Sequence, residues 1–278
     1  MEFSKAANVF FAACAVNVGE SKPPMEQSWS FQRLIQAGTP FPGSATVFGP
    51  KAMIRRDYIL RMIEELIQVL ARIDSLKMGQ LWQEADGVIA TEFMRLVGVG
   101  TQAVSQMSET ELLAKIIQSG PTQLVHHKMQ LLTTLLNQAG DIAIAQNRLE
   151  ESRACYLRGL NLSLETLAHS EASDFPEFVP KVEAFMIALQ NYPLPLSTQA
   201  RLMQHYERIG AFGKAEDALF AMLETELDEP KLLDFGITYY QRLESQSDAS
   251  LTAGNLTRAE LNAGLAELER RKKGLAQS

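Results

Sequence analysis

The chain has 278 residues, 46% of them apolar and 21% charged, with a net charge of −7 and a pI of about 5.3. That composition allows a globular protein with a sizeable core, while the acidic balance disfavours general binding to a phosphate backbone. Two cysteines, Cys14 and Cys155, are too few for a disulfide framework, no Cys/His spacing suggests zinc, and no apolar run reaches the ~18 residues of a membrane span, so a reducing cytoplasm is the expected setting.

Residues 1–52 hold five of the eleven prolines, with glycines and serines between them, as in "GTPFPGSATVFGP". No helical or strand period persists there, which predicts an irregular or disordered arm. The stretch "AANVFFAACAV" invites a signal-peptide reading. Its apolar part is short, Glu2 offsets Lys5, and Asn8 interrupts it, so export is not expected. Two accounts remain: a chain that initiates at Met53, or an arm the body can lose.

The body, 53–278, has the period of helices throughout. Ile59, Ile63, Leu66, Leu70 and Ile73 share one face of a helix over 55–77, and Leu81, Ala85, Ile89, Phe93 and Leu96 share one over 78–97. "GVGTQAVSQM" reads as a loop. Ser108 with Glu111 forms a capping box that opens a third helix, which Gly120-Pro121 stops. Helices over 122–145 and 148–169 follow, and a shorter one over 181–190 lies between the breaks "SDFPEFVP" and "NYPLPLS". Helices over 198–209 and 214–226 meet at "GAFG". Pro230 starts the next, which runs to about Leu243. A turn of helix over 248–252 ends at Gly254, and Thr257 with Glu260 caps the last helix. Helices joined by short breaks, with no strand alternation, predict an all-α fold.

Two helix pairs share a pattern. In "YERIGAFGKAEDALFAML", Tyr206, Gly210, Phe212, Ala215 and Leu219 fall at tetratricopeptide (TPR) spacing. In "LNQAGDIAIAQNRLEESRACYLRGL", Ala139, Gly140, Ser152, Tyr156 and Gly159 fit the same frame, with Asn147 in the turn. Small residues let two helices approach, and large ones fill the seam. Ser152 and Ala215 are 63 residues apart, unlike the period of about 34 of that repeat, so a further helix must separate the two units. Residues 78–97 resemble another second helix.

On these segments the body resembles an uncharacterised bacterial family of short, TPR-like, all-helical proteins known only as a domain of unknown function. "RRDYILRMIEEL" (55–66) is similar to that family's opening, and "YERIGAFGKAEDALFAMLE" and "LTAGNLTRAELNAGLAELE" to its later segments. The resemblance covers about 53–273 and leaves the arm outside. It implies a TPR-like array of antiparallel helix pairs and supplies no activity, cofactor or catalytic residue.

No constellation of residues argues for chemistry. His126 and His127 point about 100° apart on a helix and cannot easily share a metal; His169 and His205 have no partners at ligand spacing. These histidines read as helix-face residues. Glu64-Glu65 beside Arg61 reads as a solvated face, Gly98-Val-Gly100 lacks the strand of a nucleotide loop, and no serine or cysteine has a base partner. "ERRKKG" (269–274) complements a helix C-terminus. The eight methionines from Met62 to Met222 read as core filler. Asn137 and Arg201 lie near the positions of a TPR carboxylate clamp, but its lysines are missing. The expectation is a non-catalytic protein–protein interaction scaffold without cofactor, metal, nucleic acid or membrane, binding an unidentified protein or peptide. The rival is an enzyme or small-ligand sensor with a pocket between helices.

Overall fold

The computed structural model describes residues 50–118, 124–169, 176–226 and 229–275. The N-terminal arm with Cys14, the Gly120-Pro121 stop and the first three residues of "SDFPEFVP" lie outside the described residues. Among those described there are helices and no strand: α1 (Pro50–Met78), α2 (Trp82–Val97), α3 (Thr101–Gln106), α4 (Glu109–Gln118), α5 (Val125–Ala145), α6 (Leu149–Ala168), α7 (Val182–Ala188), α8 (Leu196–Arg208), α9 (Phe212–Thr225), α10 (Pro230–Leu243), α11 (Asp248–Ala253) and α12 (Arg258–Leu275). The all-α reading therefore holds. Two differences concern boundaries. Helix α1 reaches back to Pro50, ahead of the expected border at 52/53, because a proline is tolerated in a first helical turn. "GVGTQAVSQM" is not all loop: Gly98, at φ +74°, ends α2 in the left-handed region, and α3 follows with Val104 buried.

Both capping boxes form as the sequence predicts. The Glu111 amide donates to Ser108 Oγ at 3.2 Å while the Ser108 amide donates to Glu111 Oε2 at 2.8 Å. Thr257 and Glu260 repeat this at 3.2 and 2.8 Å. The backbone amides hold both carboxyls below the usual glutamate range. Pro230 stands in the first turn of α10, where its missing N–H leaves nothing unsatisfied.

Four turns share one geometry. After α1, α5, α8 and α11 the second residue past the helix turns to positive φ: Gln80 (58°), Asn147 (60°), Gly210 (75°) and Asn255 (58°). The next residue's amide reaches back five positions: Leu81 to Leu76, Arg148 to Ala143, Ala211 to Tyr206, and Leu256 to Leu251, at 2.8–3.0 Å. These are Schellman turns, which satisfy carbonyls a helix end would otherwise leave open. Four residues past that amide, in α2, α6 and α9, sit Ala85, Ser152 and Ala215, all buried. The same turn followed by the same small contact residue thus builds three helix pairs.

The pairs stack in chain order. Helices α1 and α2 pack on α5, α5 runs along α6, α6 meets α8, α8 pairs with α9, α9 meets α10, and α10 pairs with α12. Between the pairs, α3 and α4 cover α2 and α6, and α7 lies on α6. The α1 seam differs from expectation. Met62, Leu66, Leu70 and Ile73 are buried, whereas Ile63 is only half-buried; Ile59's side chain lies outside the described residues. Covered by α2 on one side and α5 on the other, the stripe keeps Leu66, Leu70 and Ile73 and takes Met62 in place of Ile63.

Candidate functional site

The residues singled out by the repeat pattern, Gly210 excepted, are buried where helices pack. Ala139 is buried on α5. A Cβ on Gly140 would lie 2.6 Å from Tyr156 Cε1, so the tyrosine ring of α6 occupies the space a side chain would need. Gly159 receives Phe185 of α7 in the same way, at 2.5 Å; its partner is the intervening helix rather than the paired one. Ser152 and Tyr156 are buried with them. Tyr206, Phe212, Ala215 and Leu219 belong to one core that runs from α6 to α12. Gly210 holds the turn.

Over the first of these contacts lies a polar network that sequence reading does not foresee. Lys77 Nζ donates to Gln138 Oε1 at 2.7 Å and to Asp141 Oδ2 at 2.8 Å. Tyr156 donates its hydroxyl to Asp141 Oδ1 at 2.6 Å. Asp74 and Lys77 are three apart on α1, as are Gln138 and Asp141 on α5, so each pair shares a helix face. Burial pushes the Asp74 carboxyl up; the Lys77 ammonium opposes this and the Asp141 carboxylate adds to it. Burial, then Asp141, pushes the Tyr156 phenol up. Tyr156 was legible only as a packing residue. Its acceptor lies 15 residues away and the lysine 79, separations that carry no local pattern.

The C-terminal pairs carry a counterpart. Tyr240 donates to Glu216 Oε1 at 2.6 Å, Tyr239 donates to the Phe212 carbonyl at 2.8 Å, and Arg242 grips Glu207 through two bonds of 2.7 Å. Gly264 of α12 leaves the space that the Tyr240 ring and hydroxyl fill. Burial raises the Glu216 carboxyl, the Tyr240 hydrogen bond opposes this, and Glu260 and Asp217 add to it.

Two open depressions lie at Schellman turns. One is lined by Gln80, Leu81, Trp82, Gln83, Glu84 and Asp86 from the α1–α2 turn, with Ala145 and Gln146 from the end of α5. The other has Gln204, Glu207, Arg208, Ile209, Gly210 and Phe212 around the α8–α9 turn, with Arg242, Leu243, Gln246 and Ser250. Each has an exposed aliphatic side chain in its lining, Leu81 in the first and Ile209 in the second, and further exposed ones lie close in the chain to the first. Met78 is 78% exposed, and Leu81, Ile144 and Leu149 are each about half exposed. Met78 and Met94 thus depart from the core-filler reading, while Met62, Met129, Met203 and Met222 fit it.

Other candidates resolve into packing. Glu65 pairs not with Arg61 but with Arg95 of α2, at 3.1 Å. Among the basic cluster, Arg270 and Arg271 pair with Glu267, and Lys272 pairs with Asp234. The rings of His126 and His127 meet edge-on at 5.7 Å. His205 departs from the helix-face reading: it is buried, its Nδ1 has no hydrogen-bond partner, and burial pulls its pKa down. Cys155 is buried and its thiol is pushed up to about 12, which leaves it protonated and unreactive at neutral pH. No group of three His, Cys, Asp or Glu side chains among the described residues is arranged to hold a metal ion, and no described helix is long and apolar enough to cross a membrane.

Fold and surface define an all-helical protein of stacked antiparallel pairs joined by a recurring turn. The chain belongs to the family of unknown function DUF6483, whose match spans residues 53–273, from the early turns of α1 to the last turn of α12. No curated protein and no solved structure matches the chain.

Proposed function

We propose that the protein is a non-catalytic scaffold of TPR-like build that binds another protein through the exposed ends of α1 and α5. The observation that carries this reading is the cluster of uncovered apolar side chains at adjoining helix ends. Met78, Leu81, Ile144 and Leu149 are exposed, and Leu81 lines the open depression that the α1–α2 turn forms with the end of α5. Apolar groups gathered at one surface mark an interaction site, whereas singly scattered ones carry no message. A stack of helix pairs offers such a surface on rigid supports. The polar network from Lys77 to Tyr156 supports the reading further. Its carboxylate, ammonium and hydroxyl are engaged with one another, which suits fixing three helices rather than turning over a substrate. A cytoplasmic setting belongs to the same reading.

The test is site-specific photo-crosslinking of the full chain in its native cells. A photoreactive residue at Leu81 or Ile144 should give a discrete adduct, and one at exposed Asn262 on α12 should not. Adducts from neither Leu81 nor Ile144 would overturn the proposal.

A further inference from the structure

The depression at the α1–α2 turn is built for one kind of partner. Leu81, Trp82 and Ala145 give it apolar surface, Gln80, Gln83 and Gln146 line it with amides, and its charged groups are Glu84 and Asp86. Both are acidic, and no lysine or arginine lines it. The corresponding depression at the α8–α9 turn is lined instead by Arg208, Arg242 and Glu207. Asp86 already shows what suits the acidic lining: its Oδ2 accepts from Arg148 at 3.1 Å, a bond held on the opposite side by Glu151 at 2.6 Å. That pair is partly exposed on both sides, so water or an incoming cation can compete for it. Carboxylates along one wall attract cations and repel acidic segments, which sets the partner's charge and speeds its approach.

We infer that this depression takes a protein segment that presents an arginine or lysine next to an aromatic or aliphatic side chain. The apolar side chain sits among Leu81, Trp82 and Ala145, and the cation meets Glu84 and Asp86. An arginine suits the position best, because its planar fork can bind a carboxylate with two hydrogen bonds while its face stacks on an aromatic ring, here Trp82. The inference rests on the scaffold reading and adds the chemistry of the partner.

Selection from a displayed random-peptide library on the full chain tests it. Recovered peptides are then synthesised and titrated against the parent and the Leu81→Asp and Glu84→Lys variants. Both positions are exposed, so the variants should keep the parent's circular dichroism and melting. The expected peptides carry a basic residue beside an aromatic or aliphatic one. Their affinity should fall about tenfold with Glu84→Lys, fall further with Leu81→Asp, and weaken as salt is raised. Peptides without a basic residue, or peptides whose binding ignores both variants, would overturn this inference and leave the scaffold reading standing. Recovery of no binding peptide would overturn both.

Discussion

The α5–α6 pair and the C-terminal α8–α12 region use the same device with opposite electrostatic settings. In each, a glycine on one helix admits a tyrosine ring from another, Gly140 with Tyr156 and Gly264 with Tyr240. In each, the hydroxyl ends on a carboxylate at 2.6 Å, Asp141 or Glu216. In the first, the carboxylate also holds the Lys77 ammonium at 2.8 Å. In the second, the charges near Glu216 are the carboxylates Glu260 and Asp217. The lesson is that close packing and charge balance are separable. A glycine–tyrosine contact fixes where two helices touch, and the nearby charges decide which protonation state that contact favours.

The largest test of the comparison is to fill the glycine. Gly140→Leu would force the buried Tyr156 ring out of its seat, and overpacking of this kind costs about 3 kcal/mol. Gly264→Leu should cost less, because Gly264 lies half-buried on the last helix, which can shift outward. Equal denaturant midpoints for the two variants would show that the contacts are not graded by burial.

Removing the hydroxyls should separate the regions next. Tyr240→Phe leaves Glu216 without its hydrogen-bond donor and should cost about 2 kcal/mol, as expected for a bond to a charged acceptor. Tyr156→Phe leaves Asp141 bonded to Lys77 and should cost about 1 kcal/mol. Urea unfolding of both variants against the parent measures the difference, and a reversed order would break the comparison.

The turns offer a smaller contrast. Gly210 and Asn147 occupy the same left-handed position. Gly210→Ala places a Cβ there and should cost about 1 kcal/mol. Asn147→Gly should change stability by only a few tenths, since asparagine already tolerates this conformation. Thermal melts of the two variants decide whether the turns are equivalent.

The smallest effect is a pH dependence. The Glu216 carboxyl is raised in the folded chain above its ordinary value of 4.5. As pH rises from 4.5 through the raised folded value, the unfolded chain releases the proton while the folded chain still holds it. Stability contributed by the protonated group is therefore present below 4.5 and lost across that window. Glu216→Gln can still accept the Tyr240 hydrogen bond but cannot ionise. Its stability relative to the parent should increase between pH 4 and pH 7, read from chemical denaturation at each pH. A constant difference would mean that Glu216 is not raised.

Much of the architecture was legible before any coordinate. The capping boxes at Ser108 and Thr257, the proline at the head of α10 and the turn at "GAFG" are local devices, complete within four to six residues, and periodicity supplies the helices between them. What was misread follows from longer range. "GVGTQAVSQM" looked like a loop because its glycines dominate the local pattern, yet Val104 finds a buried site and a short helix forms around it. Periodicity puts Ile63 in the α1 seam where Met62 is buried instead, because one helix considered alone cannot reveal the angles of the two helices that cover it. His205 looked like a face residue because nothing in its own helix marks it as covered.

By itself, then, the amino-acid sequence determined the all-α class, the places where the chain turns, and the small residues at which helices meet. These depend on backbone propensities and side-chain volumes that act within a few residues. Only the tertiary structure decided the partners across helices: Phe185 over Gly159, Lys77 on Asp141, Tyr240 on Glu216, and the joining of the α1–α2 turn with the end of α5 into one depression with Glu84 and Asp86 in its lining. The physical reason is distance along the chain. Residues tens of positions apart become neighbours through the angles at which whole helices pack, and those angles are set by all the contacts along both helices at once.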